Sequence, residues 1–252
     1  MPEGLLISHA DGVVEVVVDH GDANLLTIHS IEELTRLLVD PPTGTHVVHI
    51  RAEGPNFCLG RERGAGDVDG LRRESEALVA LNRALSDGPL VTVAEVNGAA
   101  AGFGAGLAAL CDLSFAAPGA SFWFPEINID LAPAVVLAWL PRRIGRTQAF
   151  RLAATGAAID AATAVSLGLI TDVAPSDDAL PKLVADEIAT LRTRNPRVHR
   201  EIKSFLQSTG DMSEAQAYRF ALDRLVIGSL RRSNAVEHAA PATPTKETSN
   251  DA

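Results

Sequence analysis

Residues 96–107 of the chain read VNGAAAGFGAGL, a run of small residues directly after the mostly apolar segment 90–96. The apolar segment predicts a strand, and the glycines and alanines predict a turn that opens a short helix ending near Cys111. Small side chains let a ligand approach the main chain, and the free N–H groups at a helix N-terminus favour negative charge. Close packing between helices explains the same composition equally well, so this stretch alone leaves both interpretations open.

Established nucleotide and catalytic motifs do not account for this stretch. Gly102 and Gly104 supply the first two glycines of a dinucleotide-binding G-x-G-x-x-G pattern, but Leu107 stands where the third belongs. The sequence contains no P-loop, no G-x-S-x-G nucleophile motif and no H-E-x-x-H zinc motif. His46 and His49 are three apart on a predicted strand, so they point to opposite faces and cannot share a metal.

The surrounding segments alternate between strand and helix. A run of β-branched residues predicts a strand at 13–18, and further strands are predicted at 46–50, 90–96 and 113–116. Apolar residues at helical spacing predict helices at 31–39 and 71–86. After about residue 145 the pattern is almost wholly helical, with one strand at 169–173. This alternation predicts an α/β fold with parallel strands, whose ligand sites lie at the carboxyl ends of the strands. No internal sequence repeat is evident.

Length and charge narrow the function classes. The chain has 252 residues, with 22 basic and 32 acidic side chains and a formal net charge of −10. This length suits one α/β domain or two small ones, and the 46% apolar composition is that of a folded chain. Nucleic-acid binding needs clustered lysine and arginine, so the charge argues against nucleic acid as a partner. An anionic ligand must therefore find a local basic patch.

The sequence shows no targeting or membrane signal. The N-terminus has no basic region followed by an apolar run, and the uncharged apolar stretch 131–141 is about half as long as the ~20 residues of a spanning helix. Cys58 and Cys111 form no C-x-x-C pair, which suits free thiols in a reducing cytoplasm. We expect a cytoplasmic protein with no membrane partner. Residues 239–252 hold Pro, Thr, Ser and charge without an apolar period, which predicts a disordered tail.

Two further segments place polar groups in loops. Residues 56–63, NFCLGRER, follow a predicted strand, and Arg61 and Arg63 are there most simply solvated. Residues 122–133, FWFPEINIDLAP, place Glu126 among aromatic and branched apolar side chains. Desolvation would raise the pKa of this carboxyl and suit it to proton transfer near neutral pH. A surface glutamate beside a turn proline is the simpler interpretation of this segment alone.

In order and spacing, the three segments together resemble the crotonase (enoyl-CoA hydratase/isomerase) family. The resemblance covers roughly residues 5–240, nearly the whole folded chain. It consists of an early D-A-N-L-L stretch at residues 22–26 and an F-x-x-G-x motif at residues 57–61. A V-N-G signature that ends in C-D follows at residues 96–112, and an F-x-x-P-E block lies at residues 122–133. The resemblance implies a crotonase-like spiral of ββα units in residues 1–195. It also implies a helical region in residues 196–238, through which family members form trimers or dimers of trimers.

The resemblance further implies the chemistry. Family members bind an acyl thioester, usually of coenzyme A, and two main-chain N–H groups hold the thioester oxygen while it gains enolate character. Matched by position, these donors are the amides of Arg61 and Phe103, and Glu126 is the catalytic acid or base. Coenzyme A then enters as part of the substrate, and no separate cofactor or metal is expected.

The same match implies a set of substrate-contacting positions. Trp123 and Phe124 are expected to form a pocket wall, and the side chains of Arg61 and Arg63 are candidates for the phosphates of coenzyme A. Asp130 stands where the family has glycine, either as an extra acid or, as we favour, as a turn residue. The implied contact residues are Cys58, Gly60, Gly102, Gly104, Trp123, Phe124 and Asp130.

One departure from the family pattern bears on the reaction. Hydratases of the family carry a second glutamate at the position that aligns with Gly106, so only Glu126 remains. Moving a double bond needs one base, whereas adding water conveniently uses two carboxylates. The resemblance thus favours enoyl-CoA isomerisation, with a hydratase, dehydratase, hydrolase or decarboxylase of the same fold as alternatives. Phe103, Gly106 and Asp130 also leave open a degenerate protein that binds acyl thioesters without turnover.

Overall fold

Ten strands and ten α-helices make up the part of the chain that the structure describes. The computed structural model describes residues 5–64 and 66–239, with side chains as far as residue 232. The strands are β1 (Leu6–Ala10), β2 (Val13–Val18), β3 (Val47–Ala52), β4 (Asn56–Cys58), β5 (Val91–Val96), β6 (Ala99–Ala101), β7 (Leu113–Ala116), β8 (Ser121–Trp123), β9 (Ile159–Asp160) and β10 (Asp172–Val173). The helices are α1 (Ile28–Val39), α2 (Val68–Asp87), α3 (Phe103–Leu110), α4 (Ala134–Leu137), α5 (Leu140–Ile144), α6 (Arg146–Thr155), α7 (Ala161–Ser166), α8 (Leu180–Arg192), α9 (Pro196–Thr209) and α10 (Glu214–Ala239). Two 3₁₀ turns lie at Pro125–Ile129 and Asp177–Ala179.

From β3 to β8, successive strands alternate between two sheets. A six-stranded sheet has the order β1-β2-β3-β5-β7-β10, and a four-stranded sheet has the order β4-β6-β8-β9. The inner strands are parallel, and each pair from β3 to β8 adds one strand to each sheet. Helix α2 follows the first of these pairs and α3 the second. The chain therefore winds as repeated ββα units, as expected, although no sequence repeat marks them.

The inner strands of the six-stranded sheet are covered on both faces along most of their length, whereas the edge strand β1 is exposed. This covering explains the mostly apolar sequences of the inner strands. In β3, Val48 and Ile50 belong to the main core, while Val47 packs in a second cluster with Leu180 and Val184 of α8. Side chains of a strand alternate between faces, so neighbouring residues enter different cores. Parallel sheets covered on both faces typically read as unbroken hydrophobic runs.

Side-chain caps extend two helices beyond the predicted bounds. Thr27 and Asp67 each accept a hydrogen bond from the main-chain N–H three residues later, at 3.0 and 2.6 Å. Such caps satisfy donors that a helix N-terminus leaves without intrahelical partners. Consequently α1 and α2 each begin three residues before the start that the apolar spacing predicted.

Two glycines allow main-chain contacts that any side chain would prevent. A Cβ added to Gly104 would lie 2.1 Å from the carbonyl oxygen of Cys58, and one added to Gly98 would lie 2.1 Å from that of Pro55. Strand β4 runs between these two contacts and pairs with β6. At these positions the small residues therefore serve close packing, and they fix the first turn of α3 against the end of β4.

Asp112, the last residue of the C-D signature, has a structural function. Its Oδ2 accepts hydrogen bonds from the main-chain N–H and the hydroxyl of Thr92, at 2.8 and 2.9 Å. It also accepts a hydrogen bond from the Lys203 ammonium group at 2.8 Å, and Lys203 donates a second one to the Leu90 carbonyl. These bonds join the start of β5 and the turn before β7 to α9.

By its internal contacts, the chain divides into a unit that ends at Ser204 and a second unit that begins at Phe205. In the second unit, the rings of Phe205 and Phe220 stack with centroids 5.5 Å apart, and the Arg224 guanidinium lies 4.7 Å from the Phe220 centroid. The predicted tail lies outside the described residues, apart from Ala239 at the end of α10. The domain bounds taken from the sequence stay predictions.

Exposed apolar side chains line much of α10. Leu222, Leu225, Val226 and Leu230 are between 59% and 69% exposed. These side chains are therefore exposed in the described chain and lie outside its core.

Cys58 and Cys111 are both buried and unpaired. Within the described ranges, no helix is long and apolar enough to cross a bilayer.

We expect Gly104→Ala to destabilise the protein by about 2–3 kcal/mol or more, because the new Cβ would overlap the Cys58 carbonyl. Gly106→Ala is the matched control two residues along the same helix. Its Cβ would meet only Trp139, at an ordinary 3.6 Å, and alanine favours a helix over glycine by about 1 kcal/mol. Urea denaturation measures both changes, and equal stabilities of the two variants would contradict the proposed contact.

Candidate active site

A cavity of about 560 Å³ brings together the three predicted catalytic residues. Arg61 borders it after β4, Phe103 at the start of α3, and Glu126 from the 3₁₀ turn Pro125–Ile129. Helix α2 and the segment 131–139 supply most of the remaining wall. The cavity therefore lies where the carboxyl ends of strands in the four-stranded sheet meet the helices, as the α/β pattern predicted.

The main-chain N–H of Arg61 is directed away from Leu26, the residue with which this segment pairs. The Gly60 carbonyl accepts a hydrogen bond from Leu26 N–H at 3.1 Å, and Glu62 N–H donates to the Leu26 carbonyl at 2.9 Å. Because the peptide between Gly60 and Arg61 is planar and trans, its N–H points opposite to its C=O. The amide of Arg61 thus faces away from Leu26, and the residue itself borders the cavity.

The N–H of Phe103 begins α3. The first N–H groups of a helix have no intrahelical acceptor, and Gly102 at the N-cap supplies no side-chain cap. Gly102 has φ +51°, a backbone region that favours glycine, and its own N–H donates to the Trp123 carbonyl at 2.9 Å. The helix N-terminus therefore presents free donors and a positive dipole end where Phe103 lines the cavity.

The Glu126 carboxyl lies directly against this helix start. A Cβ on Gly102 would lie 3.2 Å from Glu126 Oε1, so glycine leaves the room that the carboxyl needs. Burial raises the pKa of Glu126 from its ordinary value, while a hydrogen bond to its own main chain and the charge of Arg63 lower it in part. Glu126 is thus a partly desolvated carboxyl next to unpaired main-chain donors, which suits it to proton transfer.

Two buried polar atoms mark this cavity as a ligand site. In the described part of the chain, three buried side-chain polar atoms have no hydrogen-bond partner, and two of them are Glu126 Oε2 and Trp139 Nε1. Both side chains belong to residues that line the cavity. Buried polar groups in folded proteins nearly always have partners, so such exceptions concentrate where a ligand or water completes the site.

The indole of Trp139 occupies the space beside Gly106. A Cβ on Gly106 would lie 3.6 Å from Trp139 Cζ2, and both residues line the cavity. An alanine at position 106 would therefore be in van der Waals contact with the indole ring. Trp139 is thus the neighbour of the position at which the resemblance places the second glutamate of hydratases.

The Arg61 side chain is engaged in a largely buried ion pair, not free to bind phosphate as expected. Its Nη1 lies 2.7 Å from Glu74 Oε2 of α2 and also donates to the Glu62 carbonyl at 3.0 Å. The other oxygen of Glu74 accepts the Gly64 N–H at 3.3 Å. Arg63, which is exposed and lines the cavity, remains the candidate for the phosphates of coenzyme A.

The structure places five of the implied contact residues outside the described cavity lining. Cys58 is fully buried, donates its thiol to the Gly60 carbonyl at 3.1 Å, and has a pKa raised to about 11 by burial. Gly104 packs against it, as described above. Phe124 is fully buried in the core, and Trp123 meets the site only through its carbonyl. Asp130 is exposed at the end of its turn.

The expected aromatic wall therefore needs correction, and Asp130 is a turn residue, as favoured, and not a residue of the cavity lining. Phe103 and Trp139, not Trp123 and Phe124, supply the aromatic side chains of the cavity lining. Asp130 has φ +55°, a left-handed conformation that aspartate tolerates better than most residues. This conformation explains both the glycine of the family pattern and the favoured interpretation of Asp130 as a turn residue. Gly60 and Gly102 do line the cavity, as expected.

Sequence reasoning missed Glu74 and Trp139. Glu74 lies in a charged stretch of α2 that looks solvent-exposed, and only its spacing of four from the buried Leu78 hints at an inward position. Trp139 follows an apolar run with no polar neighbour to single it out. Among the described residues, no cluster of three or more His, Cys, Asp or Glu side chains could hold a metal ion.

Comparisons with known proteins agree with this architecture. The family model for enoyl-CoA hydratase/isomerase matches residues 9–239. A protein of Rhodobacter capsulatus named as a probable enoyl-CoA hydratase is 33% identical over 174 residues, covering 67% of this chain and 68% of its own length. The solved structure of an enoyl-CoA hydratase/isomerase family protein from Silicibacter pomeroyi has a TM-score of 0.83 and 28% identity, covering 90% of this chain and 98% of its own. An enoyl-CoA hydratase/isomerase from Marinobacter aquaeolei has a TM-score of 0.81 and 26% identity, with coverages of 89% and 90%.

The chain belongs to the enoyl-CoA hydratase/isomerase family, the crotonases. It is an enzyme of this family, and its ββα spiral with a helical C-terminal region is the crotonase fold.

We expect Glu126→Gln to raise the melting temperature of the free protein at neutral pH, because the amide has no charge to desolvate. The folded-state pKa of Glu126 lies above its unfolded value, so the protonated form contributes stability that is lost as pH rises through the folded pKa. The advantage of the variant over the wild type should therefore widen as pH rises from the ordinary pKa of a glutamate towards neutrality. Thermal unfolding across this range measures it, and an advantage that does not change with pH would contradict the burial of the carboxylate.

Proposed function

We propose that this enzyme moves the double bond of an enoyl thioester of coenzyme A from C3 to C2, with Glu126 as its one acid–base group. A single observation carries the proposal: among the described residues that line the cavity, Glu126 is the only one with a carboxyl group. Serine, asparagine and arginine side chains complete the polar part of the lining. One carboxylate can remove a proton at one carbon and return it at another.

The proposed reaction begins at the carbon between the thioester and the double bond. The Glu126 carboxylate removes a proton from C2, and the electrons of the broken C–H bond delocalise into the thioester oxygen and the C3–C4 double bond. The same carboxyl then returns the proton to C4, which leaves the double bond between C2 and C3. No atom is gained or lost, so substrate and product have the same mass.

The main-chain N–H groups of Arg61 and Phe103 are the proposed donors to the oxygen of the intermediate. One such donor contributes about 2.7–4 kcal/mol to the transition state in other enzymes, and a positioned general base contributes about 10²–10⁴-fold in rate. The two elements are thus of comparable weight. Because the donors are main-chain groups, an arginine and a phenylalanine can stand at these positions.

Among the described residues that line the cavity, the apolar side chains suit an acyl chain, and the one exposed cation suits a charged end group. Leu78, Phe103, Val136 and Trp139 form apolar parts of the lining, while Arg63 supplies a local positive charge on an acidic protein. Arginine binds phosphate oxygens through charge-assisted hydrogen bonds. Coenzyme A is therefore the proposed thiol carrier, and Arg63 its proposed phosphate contact.

Hydration of an enoyl thioester is the second candidate, favoured by the name of the Rhodobacter relative. Here a water molecule would attack C3 while Glu126 handles the transferred proton without a second carboxylate. The product of that reaction gains the mass of water, whereas the product of isomerisation does not. Mass spectrometry of the products formed from 3-hexenoyl-CoA and from 2-hexenoyl-CoA distinguishes the two reactions.

We expect Glu126→Gln to lower kcat on 3-hexenoyl-CoA by about 10²–10⁴-fold, because the amide cannot exchange the proton. Binding of the unreactive hexanoyl-CoA, measured by calorimetry, should persist. Asp130→Asn is the matched control in the same segment, since asparagine also tolerates the left-handed conformation and the residue is exposed. Equal loss of activity in both variants would contradict the assignment, and a wild-type protein that binds but converts no enoyl-CoA would show a binding protein instead.

The exposed apolar face of α10 is the proposed surface of a homotrimer or of a dimer of trimers. Leu222 and Leu225 are 64% and 69% exposed in one chain, and large exposed apolar patches commonly mark interfaces. We expect Leu222→Glu/Leu225→Glu to dissociate the assembly, as measured by light scattering after size-exclusion chromatography. An assembly of unchanged mass would contradict this choice of surface.

A further inference from the structure

Arg61 brings two different groups to the neighbourhood of the cavity. Its main-chain N–H is a proposed donor to the thioester oxygen. Its guanidinium carries a permanent positive charge, and Arg61 lines the same cavity as Glu126. A positive charge within about 4–6 Å of a carboxyl typically lowers its pKa by about 1–3 units and weakens it as a base. A free guanidinium at position 61 would therefore act against the proposed function of Glu126.

Helix α2 holds this guanidinium through Glu74. The distance between Arg61 Nη1 and Glu74 Oε2 is 2.7 Å, and the two side chains are 19% and 10% exposed. Glu74 also accepts a hydrogen bond from the Gly64 N–H, so it binds the main chain of the loop after β4 as well as the Arg61 side chain. Breaking a buried pair by removing one partner leaves an uncompensated charge, which seeks another counterion.

Among the described residues that line the cavity with Arg61, Glu126 is the only one whose carboxylate could serve as such a counterion. The charged groups around its turn are Arg61 and Arg63 from the loop after β4, the exposed Asp130 on the turn itself, and Arg146 and Arg151 on α6, which packs against the turn. Arg151 is bonded to Gln148, and both arginines of α6 are exposed. Arg63 is the cation that acts on Glu126 in the present arrangement.

We propose that Glu74 is a positioning residue that acts through Arg61: it holds the guanidinium against α2 and away from Glu126, so that Arg61 offers the cavity its main-chain N–H without its charge. This inference rests on the proposed function of Glu126 as a base. It assigns Glu74 a task in catalysis, although Glu74 is not among the described residues that line the cavity.

The test uses Glu74→Gln, which removes the charge but keeps an amide oxygen for the Gly64 N–H. In this variant the guanidinium is expected to turn to Glu126. The acidic limb of the pH profile of kcat/KM for 3-hexenoyl-CoA should then move down by about one pH unit, and kcat should fall because the base is weaker. In Arg61→Ala/Glu74→Gln the main-chain N–H stays and the charge is gone, so the limb should return to its wild-type position.

A matched control and a second variant keep the test decisive. Glu76→Gln makes the same chemical change two residues away on α2, where Glu76 is exposed and pairs with Arg72, and its profile should equal that of the wild type. Glu74→Asp withdraws the carboxylate by one methylene group and should move the limb in the same direction by less. It decides the question if Glu74→Gln does not fold.

A direct titration separates this inference from the proposed function. The ¹³C chemical shift of the Glu126 carboxyl, assigned by its absence in Glu126→Gln, reports the ionisation of Glu126 without any turnover. A lower midpoint in Glu74→Gln that is reversed in the double variant supports the inference, even if no enoyl-CoA is converted and the proposed function fails. An unchanged midpoint in Glu74→Gln, or a lowered midpoint that persists in the double variant, overturns it.

Discussion

The contact between the Cys58 carbonyl and the main chain of Gly104 leaves no room for a Cβ between them. It joins two segments that are far apart in sequence, the end of β4 and the first turn of α3. Arg61 follows one of these segments and Phe103 begins the other. Two main-chain donors on separate loops can serve one oxygen only if the loops are fixed, and packing of main chain on main chain is the stiffest way to fix them. The position of Glu126 over Gly102 depends on the same helix start.

The sequence predicted the larger sheet far better than the smaller one. Strands β2, β5 and β7 are four to six residues long and mostly apolar, enough for their pattern to be recognised. Strands β4, β6 and β8 have three residues each, too few for any periodicity, and they fall inside segments that look like loops. These short strands build most of the sheet that carries the cavity. The α/β class was therefore accessible from composition and pattern, while the second sheet became visible only through its pairing.

The same limit applies to the site. The F-x-x-G-x, V-N-G and P-E motifs predicted Arg61, Phe103 and Glu126 as site residues. Such motifs depend on main-chain geometry and on a single acidic residue, both of which can be read from the sequence. They gave no information on side-chain direction: Phe124 enters the core, and Arg61 turns to α2. The partners that decide these directions, Glu74 and Trp139, come from other elements and carry no local signal. Long-range contacts of this kind follow from the tertiary fold and not from spacing along the chain.

The neighbouring positions of Gly106 and Trp139 also bear on how this enzyme could change during evolution. A two-carboxylate site would need an acid at position 106, and the first methylene group beyond its Cβ would already approach the indole. The direction that such an acid could take is therefore limited on the side of the indole. The residues at positions 106 and 139 are thus expected to change together in a lineage that acquires the second acid.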